Sequence, residues 1–241
     1  MIILFNNLKE KDKSIAIERL ISGSTPSQDF FYMILLSILT ATFGLLINNS
    51  AVIIGSMLIA PILYPILSLS LGIVMSDAKL ISRAFYTVIK SMTLGIITSA
   101  VTTLLFSSHF SGFNTEIISR TQATLPYLGV AIAAGLAGSF ALVKPKLNEN
   151  LPGIAISVAL IPPLAVVGIG VAKFSWTIVS GSLLLFLVNA IGVVFASMIT
   201  FSMMNFYVKK SEAHKTVQKE DMKEERVREK AEKEIQKEEE K

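Results

Sequence analysis

The sequence predicts an all-α polytopic membrane protein, a helix bundle with six spans. Hydrophobic residues make up 52% of the chain and the mean hydropathy is +0.61. Charged residues are only 17% of the chain, and they are absent from five long stretches: 30–76, 91–115, 121–143, 150–172 and 174–208. A membrane-spanning helix needs roughly 20 predominantly apolar residues. The first stretch therefore fits two spans and each of the others fits one.

The charge pattern divides the chain into three segments. These are a cytoplasmic or interfacial amphipathic N-terminal segment at 1–29, the six-span membrane domain at 30–208, and a charged cytoplasmic tail at 209–241. The apolar run that begins at Met1 is too short to be the core of a cleavable signal peptide. In the N-terminal segment, isoleucine and leucine alternate with Lys13, Glu18 and Arg19, a pattern typical of a helix at the membrane surface.

The six spans are predicted at about 30–47, 51–75, 84–107, 124–142, 150–172 and 176–206. A capping box with Thr25 as N-cap, Pro26 at the first helical position and Gln28 at the third marks the start of the first span. Glutamate and lysine recur at helical spacing in the tail, which predicts a solvated helix or a disordered segment. A coiled coil is the alternative, although the sparse apolar positions do not form a heptad.

Basic residues lie mostly on one side of the predicted bundle. Lysines and arginines occur before the first span, at Lys79 and Arg83, at Lys144 and Lys146, and in the tail. The other side has only two basic residues within its predicted loops. By the positive-inside rule, both termini are cytoplasmic in a multi-pass protein of the inner or plasma membrane.

Two spans contain prolines near their middle. The second span has Pro61 and Pro65, and the fifth has Pro162 and Pro163. Proline removes a helical hydrogen bond, and the carbonyls it frees must be satisfied inside the bilayer. These spans are therefore predicted to be kinked or discontinuous at mid-depth.

The two proline regions also resemble each other in sequence. The run from Ser56 to Pro61 matches the run from Ser157 to Pro162, at a spacing of 101. Each lies in the middle helix of a three-helix set, at 30–108 and 124–206. Because three is odd, the second set enters from the opposite side, so the pattern predicts an inverted repeat with a central, transporter-type site.

Two alternatives remain open for the prolines. Proline kinks are common in membrane helices and can serve packing alone. The proline segments could also be re-entrant hairpins, which would place Lys79, Arg83, Lys144 and Lys146 outside and weaken the charge asymmetry.

Three motifs resemble a known family. They are Asn-Ser-Ala-Val-Ile-Ile-Gly-Ser-Met-Leu-Ile-Ala-Pro at 49–61, Ala-Leu-Ile-Pro-Pro-Leu-Ala-Val-Val-Gly-Ile-Gly at 159–170, and Leu-Leu-Leu-Phe-Leu-Val-Asn ending at Asn189. The chain resembles, over about 16–205, the prokaryotic hydrophobic membrane proteins catalogued as domain of unknown function 389. The resemblance implies a multi-span inner-membrane protein and supplies no established activity.

Polar residues within the spans define a candidate solute or ion site. Asn189 lies in the middle of the sixth span, where it serves either as interhelical glue or as a partner for a freed carbonyl or a ligand. Hydroxyls and carbonyls are hard oxygen ligands that suit a cation or a polar solute. The candidate site residues are Ser56, Pro61, Tyr64, Pro65, Ser157, Pro162, Pro163 and Asn189.

The sequence argues against an enzyme. It has no cysteine, its two histidines are His109 and His214, and it lacks metalloprotease, nucleophile-elbow and phosphate-loop motifs. We expect no catalytic residue, no metal site, no cofactor and no nucleic acid. The lipid bilayer is the expected partner, and the small residues around Gly135 and Gly138 make a homo-oligomer one candidate assembly.

The predicted function is movement of a small solute or ion through a site between the two broken helices. The absence of a mid-depth carboxylate argues against a proton-driven pump that uses a buried acid. The alternative is a non-transporting membrane scaffold or sensor, with the charged tail as its partner-binding element.

Overall fold

A computed structural model describes residues 10–106, 112–144, 146–147 and 159–239. Its regular elements are helical, as predicted. The α-helices are α1 (Glu10–Gly23), α2 (Gln28–Leu46), α3 (Ser50–Ile59), α4 (Leu63–Met75), α5 (Ala78–Phe106), α6 (Thr115–Ile118), α7 (Leu125–Val143), α8 (Ile161–Ala172), α9 (Trp176–Met203) and α10 (Lys210–Glu239).

Among the described residues, four helices are long and apolar enough to cross a membrane. They are α2, α5, α7 and α9, and the bent pair α3–α4 becomes a fifth candidate if it is counted as one span. The remaining predicted span, 150–172, is described only from residue 159, where the apolar helix α8 supplies its second half. Its first half, which includes Ser157, lies outside the described residues.

Two helix boundaries differ from the sequence prediction. The N-cap of α2 is Ser27, which accepts a hydrogen bond from the Phe30 backbone N–H, so the prediction of Thr25 as N-cap is wrong. Thr25 instead donates its hydroxyl to the Ile21 carbonyl oxygen. The third span is predicted from residue 84, but α5 begins at Ala78 because Asp77 caps its first turn through the backbone N–H groups of Lys79 and Leu80.

Three tight turns between helices share one geometry. In each, a residue with positive φ follows four positions after a glycine, and a Cβ built on that glycine would lie 2.9 Å from a side chain of the next helix. The absence of a side chain therefore lets the two helices meet directly at the turn. The glycines are Gly44, Gly72 and Gly170, the left-handed residues are Asn48, Ser76 and Phe174, and the contacted residues are Ile53, Ile81 and Val179.

The α4–α5 and α8–α9 hairpins correspond at a spacing of 98 residues. Leu63 and Ile161 begin the first helix of each hairpin, and Ala78 and Trp176 begin the second. Pro65 and Pro163 stand at equivalent positions of these two hairpins, whereas the sequence match between 56–61 and 157–162 has a spacing of 101. α4 contacts α9 and α8 contacts α5, so the first helix of each hairpin packs against the second helix of the other.

Contacts between distant segments define the two ends of the bundle. At the tail end, Lys209 in the segment before α10 pairs with Glu10 of α1, and Lys210 donates to the Ser76 carbonyl oxygen in the α4–α5 turn. At the loop end, Ser50 donates to the Glu116 carboxylate of α6, and Lys173 donates to the Gly112 carbonyl oxygen. Since α3 begins at the loop end and α4 finishes at the tail end, the bent pair runs from one end to the other.

Candidate functional site

The first break separates α3 from α4. The two helices are bent by 53°, and Ala60 between them has extended backbone angles. Pro61 and Pro65 have no N–H, so the carbonyl groups of Met57 and Pro61 lose their usual helical donors. The Tyr64 backbone N–H reaches the Pro61 oxygen at 3.3 Å instead. The prediction of a discontinuity at these prolines is confirmed.

Ser56 ties the first break to its neighbour α2. Its carbonyl oxygen accepts a hydrogen bond from the Ser37 hydroxyl at 2.7 Å, and its own hydroxyl donates to the Ile53 carbonyl oxygen at 2.6 Å. Both serines are fully buried. A buried hydroxyl that satisfies a helix carbonyl stabilises the packing of α2 on α3.

Tyr64 and the following turn of α4 face α1. The Tyr64 ring covers Gly23, where a Cβ would lie 2.9 Å from its Cγ atom. One turn later, Ser68 donates to the Leu20 carbonyl oxygen at 3.0 Å, and its hydroxyl lies 3.0 Å from that of Ser24. The N-terminal helix is therefore packed onto the broken helix, and its apolar face is buried against protein.

The second pair of prolines lies at the start of α8. Ala159 has a positive φ of 48°, and α8 begins at Ile161 with Pro162 and Pro163, both of which are buried. Asn189 donates its amide Nδ2 to the Ala159 carbonyl oxygen at 3.5 Å. Asn189 is the fourteenth residue of the 28-residue helix α9. The N-terminus of α8 therefore lies at about the middle of the bundle, held by a buried amide.

The two shorter helices point in opposite directions from the middle. α4 has 13 residues and runs to the tail end, and α8 has 12 residues and runs to the loop end. At 1.5 Å per residue each is roughly 18–20 Å long, less than the roughly 30 Å hydrocarbon core. The structure places α3 in contact with α8, so the two broken segments are neighbours.

A close crossing of α5 and α8 was not predicted from the sequence. Ser99 donates its hydroxyl to the Ala165 carbonyl oxygen at 2.6 Å, and a Cβ at Gly168 would lie 2.5 Å from the Ser99 Cβ. Both residues lie in charge-free stretches of the sequence, and nothing there indicated which neighbouring helix each of them would face. The crossing fixes α8 against the other half of the protein.

Gly135 lets two other helices, α7 and α9, approach each other closely. A Cβ there would lie 2.8 Å from the Val193 carbonyl oxygen, and the Ser197 hydroxyl donates to the Gly135 oxygen at 3.2 Å. These contacts join α7 to α9 within the chain. The small residues of the fourth predicted span therefore serve packing inside the bundle at this position.

The tail helix α10 is docked on the membrane domain. Arg83, with a side chain only 9% exposed, pairs with Asp221 and Glu224 and also donates to the Thr25 hydroxyl. Lys79 pairs with Asp221 at 2.6 Å. The apolar residues Ala213 and Val217 of the tail are fully buried, as expected for a packed helix. The predicted helix is confirmed, but its first half is not fully solvated, because Ala213, Val217 and Glu220 are buried where this helix packs on α1 and α5.

A second ionic cluster holds the beginning of the tail. Lys209 pairs with Glu10 at 3.2 Å and with Glu212 at 3.0 Å. Hydrogen bonds from Lys13 and Lys209 hold the pKa of Glu10 below its ordinary value, and a hydrogen bond from Ser14 lowers the pKa of Glu212, as does Lys209. Hydrogen bonds to Glu212 and Glu10 raise the pKa of Lys209.

The loop end has its own polar cluster. Asn114 donates to the Leu45 carbonyl oxygen at 2.6 Å, and Arg120 pairs with Glu116. Burial raises the pKa of Glu116, but the Ser50 hydroxyl and Arg120 outweigh it and leave that pKa below the ordinary value. Within the described part of the chain, no three histidine or acidic residues are grouped as a metal site would require.

Comparisons with known proteins identify the family. The family model described as "Domain of unknown function (DUF389)" matches residues 57–195. An uncharacterized protein of the archaeon Methanocaldococcus jannaschii, MJ0678, is 33% identical over 183 residues, which are 73% of this chain and 54% of that protein. This chain thus spans about half the length of this curated relative. No solved structure matches this chain. The chain belongs to the DUF389 family of membrane-type helical proteins, a family of unknown function.

Proposed function

We propose that this protein moves a small solute or ion across the membrane through a site between its two broken helices. The observation that carries the proposal is the opposed arrangement of α4 and α8, which begin near the middle and run to opposite ends. Paired discontinuous helices of this kind form the central binding sites of many secondary transporters. A helix that serves packing alone has no need of a counterpart in the opposite direction.

An inverted repeat accounts for the reciprocal packing of the two hairpins. With the spacing of 98, α4–α5 corresponds to α8–α9, and the α4–α9 contact corresponds to the α8–α5 contact. The remaining helices extend this to six spans, in which 30–108 and 124–206 are related by a pseudo-two-fold axis in the membrane plane. The turns at Ser76 and Phe174 support the same correspondence.

The chemistry around the breaks favours a small polar solute or an alkali cation. The two breaks contribute backbone carbonyls and helix N-termini, together with the hydroxyl-bearing side chains near Ser56 and the amide of Asn189. The carbonyl and hydroxyl oxygens suit a cation or the donor groups of a polar solute, and the N–H groups at the helix N-termini suit the acceptor groups of a solute. The charge-free sequence on either side supplies no acid to carry a proton.

A flux assay tests the proposal. In proteoliposomes, the wild-type protein should release radiolabelled or fluorescently detected ions or metabolites from a broad panel. Asn189→Leu should reduce that flux by about five- to tenfold, because it removes the hydrogen bond to the Ala159 carbonyl oxygen, worth about 1–1.4 kcal/mol. Ser180→Ala, an exposed hydroxyl on the same helix, is the matched control. Flux by neither protein for any solute would overturn the proposal.

We also infer that both termini face the cytoplasm and that the bent pair is a span. Because the chain has no cysteine, single cysteines can report the side of the membrane without background. Lys79→Cys and Lys215→Cys should react with an impermeant maleimide only from the cytoplasmic side, and Ser119→Cys only from the opposite side. A re-entrant bent pair would instead reverse both results, because α5 lies between the two positions: Lys79→Cys would react from the outside and Ser119→Cys from the cytoplasmic side.

The second candidate function is a scaffold or sensor that acts through its tail. The ion pairs between α10 and Arg83 support this second function, because a tail that binds its own membrane domain can exchange that contact for a partner. A tail-dependent pull-down from membranes, combined with an absence of flux, would favour the scaffold. Flux that persists after deletion of 225–241 would favour transport.

A further inference from the structure

A long apolar groove lies on the outer face of the bundle between α4, α5 and α9. Its central part is a cleft of about 380 Å³ lined only by apolar side chains. Leu69 of α4, Phe85 and Met92 of α5, and Ala190 and Val194 of α9 form its walls. Several wall residues remain exposed, among them Phe85 at 55%. In a membrane-spanning bundle, such a cleft opens toward lipid.

The groove continues to the tail end of the bundle. A second cleft of about 520 Å³ shares Phe195 and Met198 with the first and reaches Ser202 and Tyr207. From Phe186 to Ser202 the two clefts follow α9 for about 24 Å at 1.5 Å per residue. One leaflet contributes about half of the roughly 30 Å hydrocarbon core. The groove is therefore long enough to follow an acyl chain through one leaflet.

The groove opens where the other half of the protein is closed. At the crossing of α5 and α8, Gly168 lies against Ser99 and the Ile96 carbonyl oxygen. The corresponding residue of α4, 98 positions earlier, is Ser70, and the counterpart of Ile96 on α9 is Val194, which lines the cleft. Ser70 has a side chain where Gly168 has none, and its hydroxyl donates to the Ile66 carbonyl oxygen within α4 instead of joining α4 to α9.

The tail end of the groove is polar and basic. Tyr207 is 56% exposed there, and the Lys210 ammonium donates to the Ser76 carbonyl oxygen at 2.7 Å. Ser76 is two residues beyond Val74, which lines the second cleft. Within the described chain, no carboxylate lies within ion-pair distance of Lys210. An apolar channel that ends at an unneutralised ammonium is complementary to an amphipathic anion.

We propose that this groove is a binding site for an anionic phospholipid. One acyl chain lies in the cleft between α4, α5 and α9, and the headgroup phosphate lies at Tyr207 and Lys210. Burial of each methylene group in the cleft contributes to binding, and the ammonium near the headgroup level favours anionic over zwitterionic lipid. The site is separate from the two helix breaks, so it does not depend on the transport proposal.

Native mass spectrometry of the purified full chain tests this site. The protein is reconstituted in vesicles of equal phosphatidylglycerol and phosphatidylcholine, extracted into mild detergent and scored for retained lipid. We expect the wild type to retain phosphatidylglycerol. Ala190→Trp, which fills the cleft, should lower retention about tenfold, the change expected when about two methylene groups lose their contacts. Lys210→Gln should keep the acyl-chain site but lose the preference for phosphatidylglycerol.

Two controls keep the result independent of folding. Leu104→Trp adds the same side chain at a 63% exposed position of α5 outside the groove and should retain lipid as the wild type does. Met198→Cys can be modified with a bulky maleimide after the protein has folded, and this should also release lipid. Equal retention by wild type, Ala190→Trp and modified Met198→Cys would overturn the proposal. So would efficient cross-linking of two chains through Met198→Cys, which would assign the groove to a second copy.

Discussion

Ser99 on α5 donates its hydroxyl to the Ala165 carbonyl oxygen on α8 at 2.6 Å, three residues before Gly168. This contact joins the long helix of one half of the protein to the broken helix of the other. It lies where a side chain at Gly168 would meet the Ile96 carbonyl oxygen at 2.7 Å. The hydrogen bond and the glycine together bring the backbones of two apolar helices close without leaving a polar group unsatisfied.

Gly168→Ala should therefore destabilise the protein. The new methyl group would lie 2.5 Å from the Ser99 Cβ and against backbone, so α8 or α5 must move. The expected loss is about 1–3 kcal/mol, as for other overpacked sites, and it should appear as a lower Tm in detergent. The control is Gly55→Ala, since a Cβ at Gly55 meets nothing within 4 Å. Equal melting of the two variants would contradict the close crossing.

Removal of the Arg83 guanidinium should release the tail. Arg83→Gln loses the pairs with Asp221 and Glu224, and hydrogen bonds to charged groups contribute about 1.5–3 kcal/mol each in favourable cases. Partial solvent exposure of both acids will reduce this figure. Hydrogen exchange should then become faster in the first half of α10. Arg226→Gln, which changes an exposed arginine of the same helix, should leave the exchange unchanged.

Docking of the tail should also depend on pH. The pKa values of Glu10 and Glu212 lie below the ordinary 4.5, so their contribution is present above pH 4.5 and is lost as the pH falls through the lowered values. The pKa of Lys209 lies above 10.5, so its contribution is present below pH 10.5 and is lost as the pH rises through the raised value. The tail should stay docked between these limits and separate outside them.

Spin labels on Ser22→Cys and Gln218→Cys can measure this separation. The distance between them should be short and uniform near neutral pH and should broaden on acidification. His214 lies 3.6 Å from the buried Asp77, so His214→Gln separates its effect from that of the glutamates. If His214→Gln abolishes the pH response, the assignment to Glu10 and Glu212 is wrong.

The single tryptophan can report the membrane boundary. Trp176 begins α9, is 79% exposed and lies beside the α8–α9 turn. Tryptophan favours the interface between headgroups and hydrocarbon. Lipids brominated near the headgroup should quench its fluorescence more strongly than lipids brominated at the chain ends, with Trp176→Phe as the blank. Stronger quenching by the chain-end bromines would place the turn inside the hydrocarbon.

The sequence by itself determined the helical membrane character of this protein and the position of the break between α3 and α4. Long charge-free stretches admit few alternatives to helices in lipid, and a proline cannot continue a helix beyond its first turn. The family followed from short motifs around Pro61 and Pro162. These features are local, so a chain read in order is enough to reveal them.

The tertiary structure decided which helices meet. The spacing of 98, the Ser99–Ala165 contact and the groove beside Ala190 depend on residues that are far apart in the chain. The same holds for the tail, where Arg83 and Asp221 are separated by 138 residues. In long charge-free stretches, periodicity cannot distinguish a face that touches lipid from one that touches protein. Only the packing of small residues and buried hydrogen bonds makes that distinction.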